Sequence, residues 1–202
     1  MNKNIIIVFV RNPKLGKVKT RLSKTIGNED ALKVYKILLK HTESVLGTAS
    51  SDKVVYYSEE IQKNDLWNAS IYQKKLQKGT DLGARMLMAF ETAFEDSYEN
   101  VVIVGSDLFE LKPIHLKKAF EALENHEVVL GPSLDGGYYL LGMTKLHPTL
   151  FKNKQWGTDS VLESTLKDLK KHNVKLLEAL NDIDTFEDLQ NQPELLKKIK
   201  KL

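Results

Sequence analysis

The chain has 202 residues, 42% hydrophobic and 28% charged, the balance of a globular protein and not of a disordered one. With 30 Lys and Arg against 27 Asp and Glu the net charge is +3, too even for an extended nucleic-acid-binding surface, so any basic site must be local. Cysteine is absent, which excludes disulfides, thiolate nucleophiles and cysteine–zinc sites and fits a reducing compartment.

Ile5–Val10 is a continuous apolar run, the pattern of a strand in a parallel sheet covered on both faces. Arg11 stops it, so the run is too short for a signal-peptide core or a membrane span, and the expected location is the cytoplasm. The next residues, Arg11-Asn12-Pro13-Lys14-Leu15-Gly16-Lys17-Val18-Lys19-Thr20-Arg21, gather Arg11, Lys14, Lys17, Lys19 and Arg21 around Gly16. Backbone donors and cationic heads at the end of a buried strand suit phosphate groups. A P-loop is excluded, because Arg11 and Val18 stand where its first glycine and its Ser or Thr belong. The other reading is a solvated basic loop.

A helix follows over about Glu29–Leu46, with Gly47 at its end. Lys53–Ser58 and Ser70–Lys74 read as short strands. Leu82, Met86, Ala89, Phe90 and Ala93 form the apolar stripe of a helix opened by Thr80-Asp81. Ahead of it, Gln77, Gly79, Asp81 and Gly83 make a loop-to-helix junction where a ligand can approach the backbone and meet free N–H groups. Gln77 has the donor and acceptor to read a base edge, while Gly83 could serve helix packing alone.

Val101–Val104 is a second buried strand, followed by Gly105-Ser106-Asp107. A carboxylate beyond the carboxyl end of a strand in an α/β sheet can hold a metal on a phosphate. It can also open a turn or cap the next helix, expected at Pro113–Leu123. Val128–Leu130 and Gly137–Met143 are further strands, and Asp135-Gly136-Gly137-Tyr138 between them reads as a hairpin turn able to line a pocket. A helix begins near Thr158, with capping-box spacing from Ser160 to Glu163. Val174–Leu177 is a last short strand. Asp182 and Asp184 then share a face of an extended segment, the carboxylate pair of a Mg²⁺ or Mn²⁺ site. Alternatively, Asp184 or Thr185 caps the helix expected over Phe186–Leu202. The lysines at 197–201 suit a helix C-terminus and require no membrane or nucleic acid. None of His41, His115, His126, His147 and His172 shows zinc-ligand spacing or lies near these motifs, so all five read as incidental.

Strands alternate with helices throughout, which predicts an α/β three-layer sandwich with a mostly parallel sheet, in one domain over 1–202 with no linker or repeat. In order, Lys19-Thr20-Arg21-Leu22, Gln77 with Asp81-Leu82-Gly83 and Arg85-Met86, Gly105-Ser106-Asp107, Gly131-Pro132 with Asp135–Tyr138, Trp156-Gly157-Thr158 and Asp182–Thr185 resemble one family across nearly the whole chain. It is the bacterial glycosyltransferase-like family associated with arsenosugar biosynthesis, also called radical-SAM/selenodomain-associated transferases. Its relatives are the guanylyltransferases of phospholactate or phosphoenolpyruvate.

The resemblance implies the GT-A, nucleotide-diphospho-sugar transferase fold. It also implies a metal, Mg²⁺ or Mn²⁺, on Asp107, Asp182 and Asp184. Lys19 and Arg21 would act with Asp107 in catalysis. Arg11, Lys14, Gly16, Lys17, Gln77, Gly79, Asp81, Gly83 and Ser106 would bind nucleotide. Asp135, Gly136, Gly137, Tyr138, Gly157, Thr158 and Ser160 would bind a small acceptor. Two departures stand out: Phe109 replaces the family's usual proline and changes the expected wall beside Asp107, and Trp156-Gly157 replaces the commoner Trp-Ser.

The expected activity is a metal-dependent transferase using a nucleotide or nucleotide-sugar, either a glycosyltransferase or a nucleotidyltransferase that releases pyrophosphate. A non-catalytic nucleotide-binding regulatory module is the reading from a different class, since fold does not fix function.

Overall fold

The computed structural model describes residues 3–199. Its centre is a seven-stranded sheet built from β1 (Asn4–Val10), β2 (Asp52–Tyr57), β3 (Tyr72–Leu76), β4 (Asn100–Val104), β5 (Val128–Pro132), β6 (Tyr138–Met143) and β7 (Val174–Leu176), in the order β3-β2-β1-β4-β6-β5-β7. Only β6 runs against its neighbours, pairing antiparallel with β4 and β5; the other pairs are parallel. The β-branched runs make these strands because both faces of the sheet are covered. Alternate residues enter two separate cores.

On one face, Ile6, Val8, Val102 and Val104 pack with Tyr35 and Leu39 of α2 (Asn28–Gly47) and with Leu116 and Ala119 of α4 (Pro113–Leu123). On the other, Ile5, Ile7, Val101 and Ile103 meet Met86, Ala89, Phe90 and Ala93 of α3 (Leu82–Glu95), with a 3-10 turn at Pro148–Phe151 beside them. Leu82, expected in that apolar stripe, is exposed instead. A third cluster lies beyond the sheet. It joins Leu22 of α1 (Thr20–Ile26), Val34 and Leu38 of α2, Ile183, Leu189 of α6 (Phe186–Gln190) and Leu195 of α7 (Pro193–Ile199).

Several expectations change. The third strand starts two residues later than predicted. The basic loop ends in a helix, α1, that its run of cations conceals. The single terminal helix is two, because Pro193 lacks the N–H a continuing helix needs and disfavours helical backbone in the residue before it. The end of that expected helix, 200–202, lies outside the described residues. Ser160 precedes α5 (Val161–Asp168) but makes no side-chain cap; its Oγ pairs with Thr158 Oγ1 at 2.8 Å. Among the described residues no helix is long and apolar enough to cross a membrane.

Candidate active site

From β1 the sheet extends to β2 and β3 on one side, while β4 lies on the other, so the connections diverge between β1 and β4. At such a switch point loops leave the strands in opposite directions and open a crevice. The loop after β1 is fixed before it reaches any ligand. Buried Asn12 accepts the backbone N–H of Glu59 (3.0 Å) and of Glu60 (3.3 Å) through Oδ1. The Arg11 N–H donates to the Tyr35 hydroxyl at 2.9 Å, and that hydroxyl donates to the Arg11 carbonyl at 3.1 Å.

This loop delivers Lys19 to the crevice. Its backbone is left-handed, with φ 48°, and its side chain is only 5% exposed. Nζ donates to Asp107 Oδ2 at 3.0 Å and lies 3.6 Å from Asp184 Oδ1. Arg21, exposed on α1, donates to Asp184 Oδ2 at 3.1 Å. Loops from three distant parts of the sequence therefore meet through ion pairs.

Between Asp182, which borders the smaller cavity, and Asp184, which borders the larger, Ile183 is fully buried in the third cluster and its N–H donates to the Asp107 carbonyl at 3.1 Å. The capping role falls to Thr185, whose hydroxyl accepts the Asp188 N–H while Asp188 accepts the Thr185 N–H at 2.7 Å. Asp107 likewise does not cap α4; the Lys112 N–H there donates to His115 Nδ1. Asp182 accepts from Ser133 Oγ at 2.9 Å. Burial, reinforced by the Asp107 and Asp135 charges, pushes its carboxyl up to about 6.

Two cavities adjoin here, and Asp107 borders both. The larger, about 990 Å³, is lined by Arg11, Lys17, Lys19, Arg21, Arg85 and Asp184. The smaller, about 270 Å³, is walled by Phe9, Met86, Leu108, Tyr138 and Trp156, with Asp182 at its polar side. Of the other residues singled out in the sequence, Gln77, Asp81 and Ser106 border the larger cavity, Gly137 and Thr158 the smaller, and Asp135 and Gly157 both.

Lys14, Gly16, Gly79, Gly83, Gly136 and Ser160 border neither. Lys14 turns to Glu59 and Glu60, at 2.8 and 3.2 Å. Gly83 is a packing glycine: a Cβ there would collide with the Phe151 carbonyl and the Trp156 ring. Gly136 has φ +88°, and a Cβ on it would strike the Asp159 backbone. The Asp-Gly-Gly turn thus closes the β5–β6 hairpin and still offers Asp135 and Gly137 to the cavities.

Gln77 is committed to structure. Its Nε2 donates to the carbonyls of Val10 (3.2 Å) and Tyr56 (3.0 Å), tying the ends of β1 and β2. Its Oε1 accepts from Arg85. Asp81 caps α3 by accepting the Ala84 N–H at 2.9 Å. Phe109 does not wall the site. Its ring packs toward the third cluster, 5.0 Å from the His41 ring and under the Lys198 ammonium, and Leu108 borders the smaller cavity instead.

Sequence reasoning took Arg85, Met86 and Trp156 as pieces of the family pattern without giving them a place in the site, and it passed over Ser133 and Phe9. Arg85, one turn into a helix that opens at the crevice, carried the clearest signal. Phe9 carried none, since apolar residues in core elements look alike whether they face a cavity or the core.

The fold has counterparts among solved structures. A candidate nucleotide-diphospho-sugar transferase from Desulfovibrio desulfuricans G20 is 28% identical, with 98% of this chain and 99% of that one covered and a TM-score of 0.84. A cytidylyltransferase from Leptospira borgpetersenii shares 16% identity at a TM-score of 0.60, covering 100% and 95% of the two chains. A 4-diphosphocytidyl-2C-methyl-D-erythritol synthase from Anaerococcus prevotii shares 12% at 0.61, covering 96% of each. The last two show the fold alone. Curated proteins give no sequence match. The fold is therefore the α/β nucleotide-diphospho-sugar transferase type, with a mixed, mostly parallel sheet, that nucleotidyltransferases share. The model of the bacterial family described as "Uncharacterized protein conserved in bacteria (DUF2064)" matches residues 39–158, more than half of the sequence, and the chain belongs to that family.

Proposed function

We propose that this protein is a metal-dependent transferase that binds a nucleotide in the larger cavity and transfers part of it to a small acceptor in the smaller one. The observation that carries the reading is Asp107, which borders both cavities while ion-paired to the buried Lys19. The carboxylates suit a hard divalent cation, Mg²⁺ or Mn²⁺. Asp107, Asp182 and Asp184 would supply oxygen ligands, and a bound cation would offset the burial that, with the Asp107 and Asp135 charges, raises the Asp182 carboxyl. A cation held by these three residues would neutralise phosphate oxygens. Lys19 and Arg21 would steady charge developing on the leaving phosphate, the term that dominates phosphoryl-type chemistry.

Nucleotidyl transfer, with pyrophosphate as product, is supported by the buried lysine among the phosphate-facing cations. A lone aspartate after β4, with no local Asp-x-Asp there, points the same way. The resemblance to phosphoenolpyruvate and phospholactate guanylyltransferases supports a small phosphorylated acceptor. Sugar transfer has its own support in the aromatic faces of Tyr138 and Trp156 and in the likeness to the Desulfovibrio protein and the arsenosugar-associated family.

Product analysis with a panel of nucleoside triphosphates and nucleotide-sugars separates them: pyrophosphate identifies nucleotidyl transfer, nucleoside diphosphate identifies sugar transfer. Thermal shift with the same panel, with and without Mg²⁺, tests the shared premise. If no nucleotide stabilises the protein in either condition, the transferase reading fails.

A further inference from the structure

We propose that Glu127, His147 and His172 form a binding site for a divalent transition metal of the zinc type, remote from the nucleotide cavity. These residues come from three loops at the far end of the sheet. Glu127 directly precedes β5, His172 shortly precedes β7, and His147 follows the antiparallel β6, so sheet pairing brings them to one edge. The backbone fixes the meeting point: the Glu127 N–H donates to the Asn173 carbonyl at 2.9 Å, and the Thr144 N–H donates to the Glu127 carbonyl at 3.1 Å.

One ligand atom from each side chain lies within 4.8 Å of the other two. Glu127 Oε2 is 2.9 Å from His172 Nδ1 and 3.8 Å from His147 Nε2, and the two imidazole centroids are 4.6 Å apart. A second observation is independent of this clustering. His147 is only 8% exposed, and its Nε2 is buried without a hydrogen-bond partner. Buried polar atoms in folded proteins nearly always have a partner. This one faces a carboxylate and another imidazole at a separation that a bridging ion would close.

The donor set selects the ion. Two imidazole nitrogens and one carboxylate suit Zn²⁺, Co²⁺ or Ni²⁺, whereas Mg²⁺ and Ca²⁺ take oxygen ligands. Three protein ligands leave a position for water, and His172 and Glu127, about a third exposed, give it access. Lys145 competes for the carboxylate, with Nζ 3.1 Å from Glu127 Oε2, but it is 60% exposed and free to swing away. The ion would clip β7, a strand of three residues, to the β5–β6 hairpin.

The test is Zn²⁺ titration by calorimetry of the full-length protein in excess Mg²⁺, which covers the acidic cluster, with the visible spectrum of bound Co²⁺ as a second readout. One equivalent should bind. His172→Ala and Glu127→Gln should each weaken binding by roughly 100-fold or more, since even residues behind the ligands change affinity by about 10–100-fold. Lys145→Ala should tighten it, and Asp182→Asn should leave it unchanged. Circular dichroism of His172→Ala and Glu127→Gln confirms that they fold, so the buried His147 need not be altered. The assignment is overturned if the wild-type protein binds no Zn²⁺ under these conditions. Wild-type affinity in His172→Ala or Glu127→Gln would overturn it equally, as would weaker binding in Lys145→Ala or Asp182→Asn.

Discussion

Lys19 combines a left-handed backbone, near-complete burial and ion pairs to Asp107 and Asp184. A non-glycine residue in that conformation is strained, and such strain persists only where the surroundings over-determine it. Two substitutions separate its roles. Lys19→Met keeps the backbone cost and removes the charge; Lys19→Gly removes both. Each should lower turnover by about 10²–10³-fold, the effect of deleting one preorganised donor. Lys19→Gly should melt at a higher temperature than Lys19→Met. Comparable turnover in wild type and both variants would remove Lys19 from the chemistry.

The same junction sets a pH dependence through Asp182. Its carboxyl, ordinarily near 3.8, titrates at about 6 in the folded protein, so between those values the folded state holds a proton that the unfolded chain has released. Its contribution to stability is therefore present below about 3.8 and is lost as pH rises through about 6. Mg²⁺ needs the ionised form, so its stabilising effect should be small at about pH 5 and grow toward neutrality. Asp182→Asn should raise the metal-free Tm at neutral pH and abolish the Mg²⁺ effect. Thermal melts across pH check both, and a Mg²⁺ shift that does not vary with pH would contradict this role for Asp182.

Between elements, the third hydrophobic cluster aims the site. It packs Leu22 next to Arg21, Phe109 two residues beyond Asp107, and Ile183 between Asp182 and Asp184. Each of these apolar residues anchors the segment that carries a charged one. Ile183→Ala should cost about 2–5 kcal/mol of stability, as large-to-small changes in cores do. It should also weaken Mg²⁺-dependent nucleotide binding, though it removes no polar atom. Urea unfolding and nucleotide titration read the two effects, and loss of stability with unchanged binding would show that the cluster does not position the carboxylates.

The sequence made the central strands legible because a strand covered on both faces must be apolar throughout. It singled out Asp182 and Asp184 because an extended chain alternates its faces, and in the structure they flank the buried Ile183, each at a different cavity. It hid α1, whose charged residues break the helical apolar pattern and whose buried residue, Leu22, serves a cluster assembled from the far end of the chain. It hid the Glu127–His147–His172 group for a similar reason. Those ligands are spaced by sheet pairing and not by a local turn, so no short motif records them. Phe109 was misread because its position in sequence beside Asp107 says nothing of which side of the loop it faces.

At the scale of the molecule, two cavities share Asp107, beyond β4, and Asp135, of the β5–β6 turn, and their walls differ in kind. Cations line the larger and aromatic and aliphatic side chains the smaller, so donor and acceptor should depend on separate residues. Lys17, exposed and bordering only the larger cavity, and Trp156, half-buried and bordering only the smaller, test that division. Lys17→Ala should raise the nucleotide Kd about tenfold, the loss of ~1.4 kcal/mol expected for one charge-assisted contact at an exposed site. It should leave the acceptor KM unaltered. Trp156→Phe keeps an aromatic ring against Tyr138 and Gly83 while shrinking the wall. It should raise the acceptor KM by roughly 2- to 10-fold, on the scale of about 0.5–1.5 kcal/mol for an aromatic contact, and leave nucleotide Kd unchanged. Direct nucleotide titration and initial-rate kinetics measure the two quantities separately. If either variant moves both by the same factor, the cavities act as one site, and the division of labour around Asp107 is wrong.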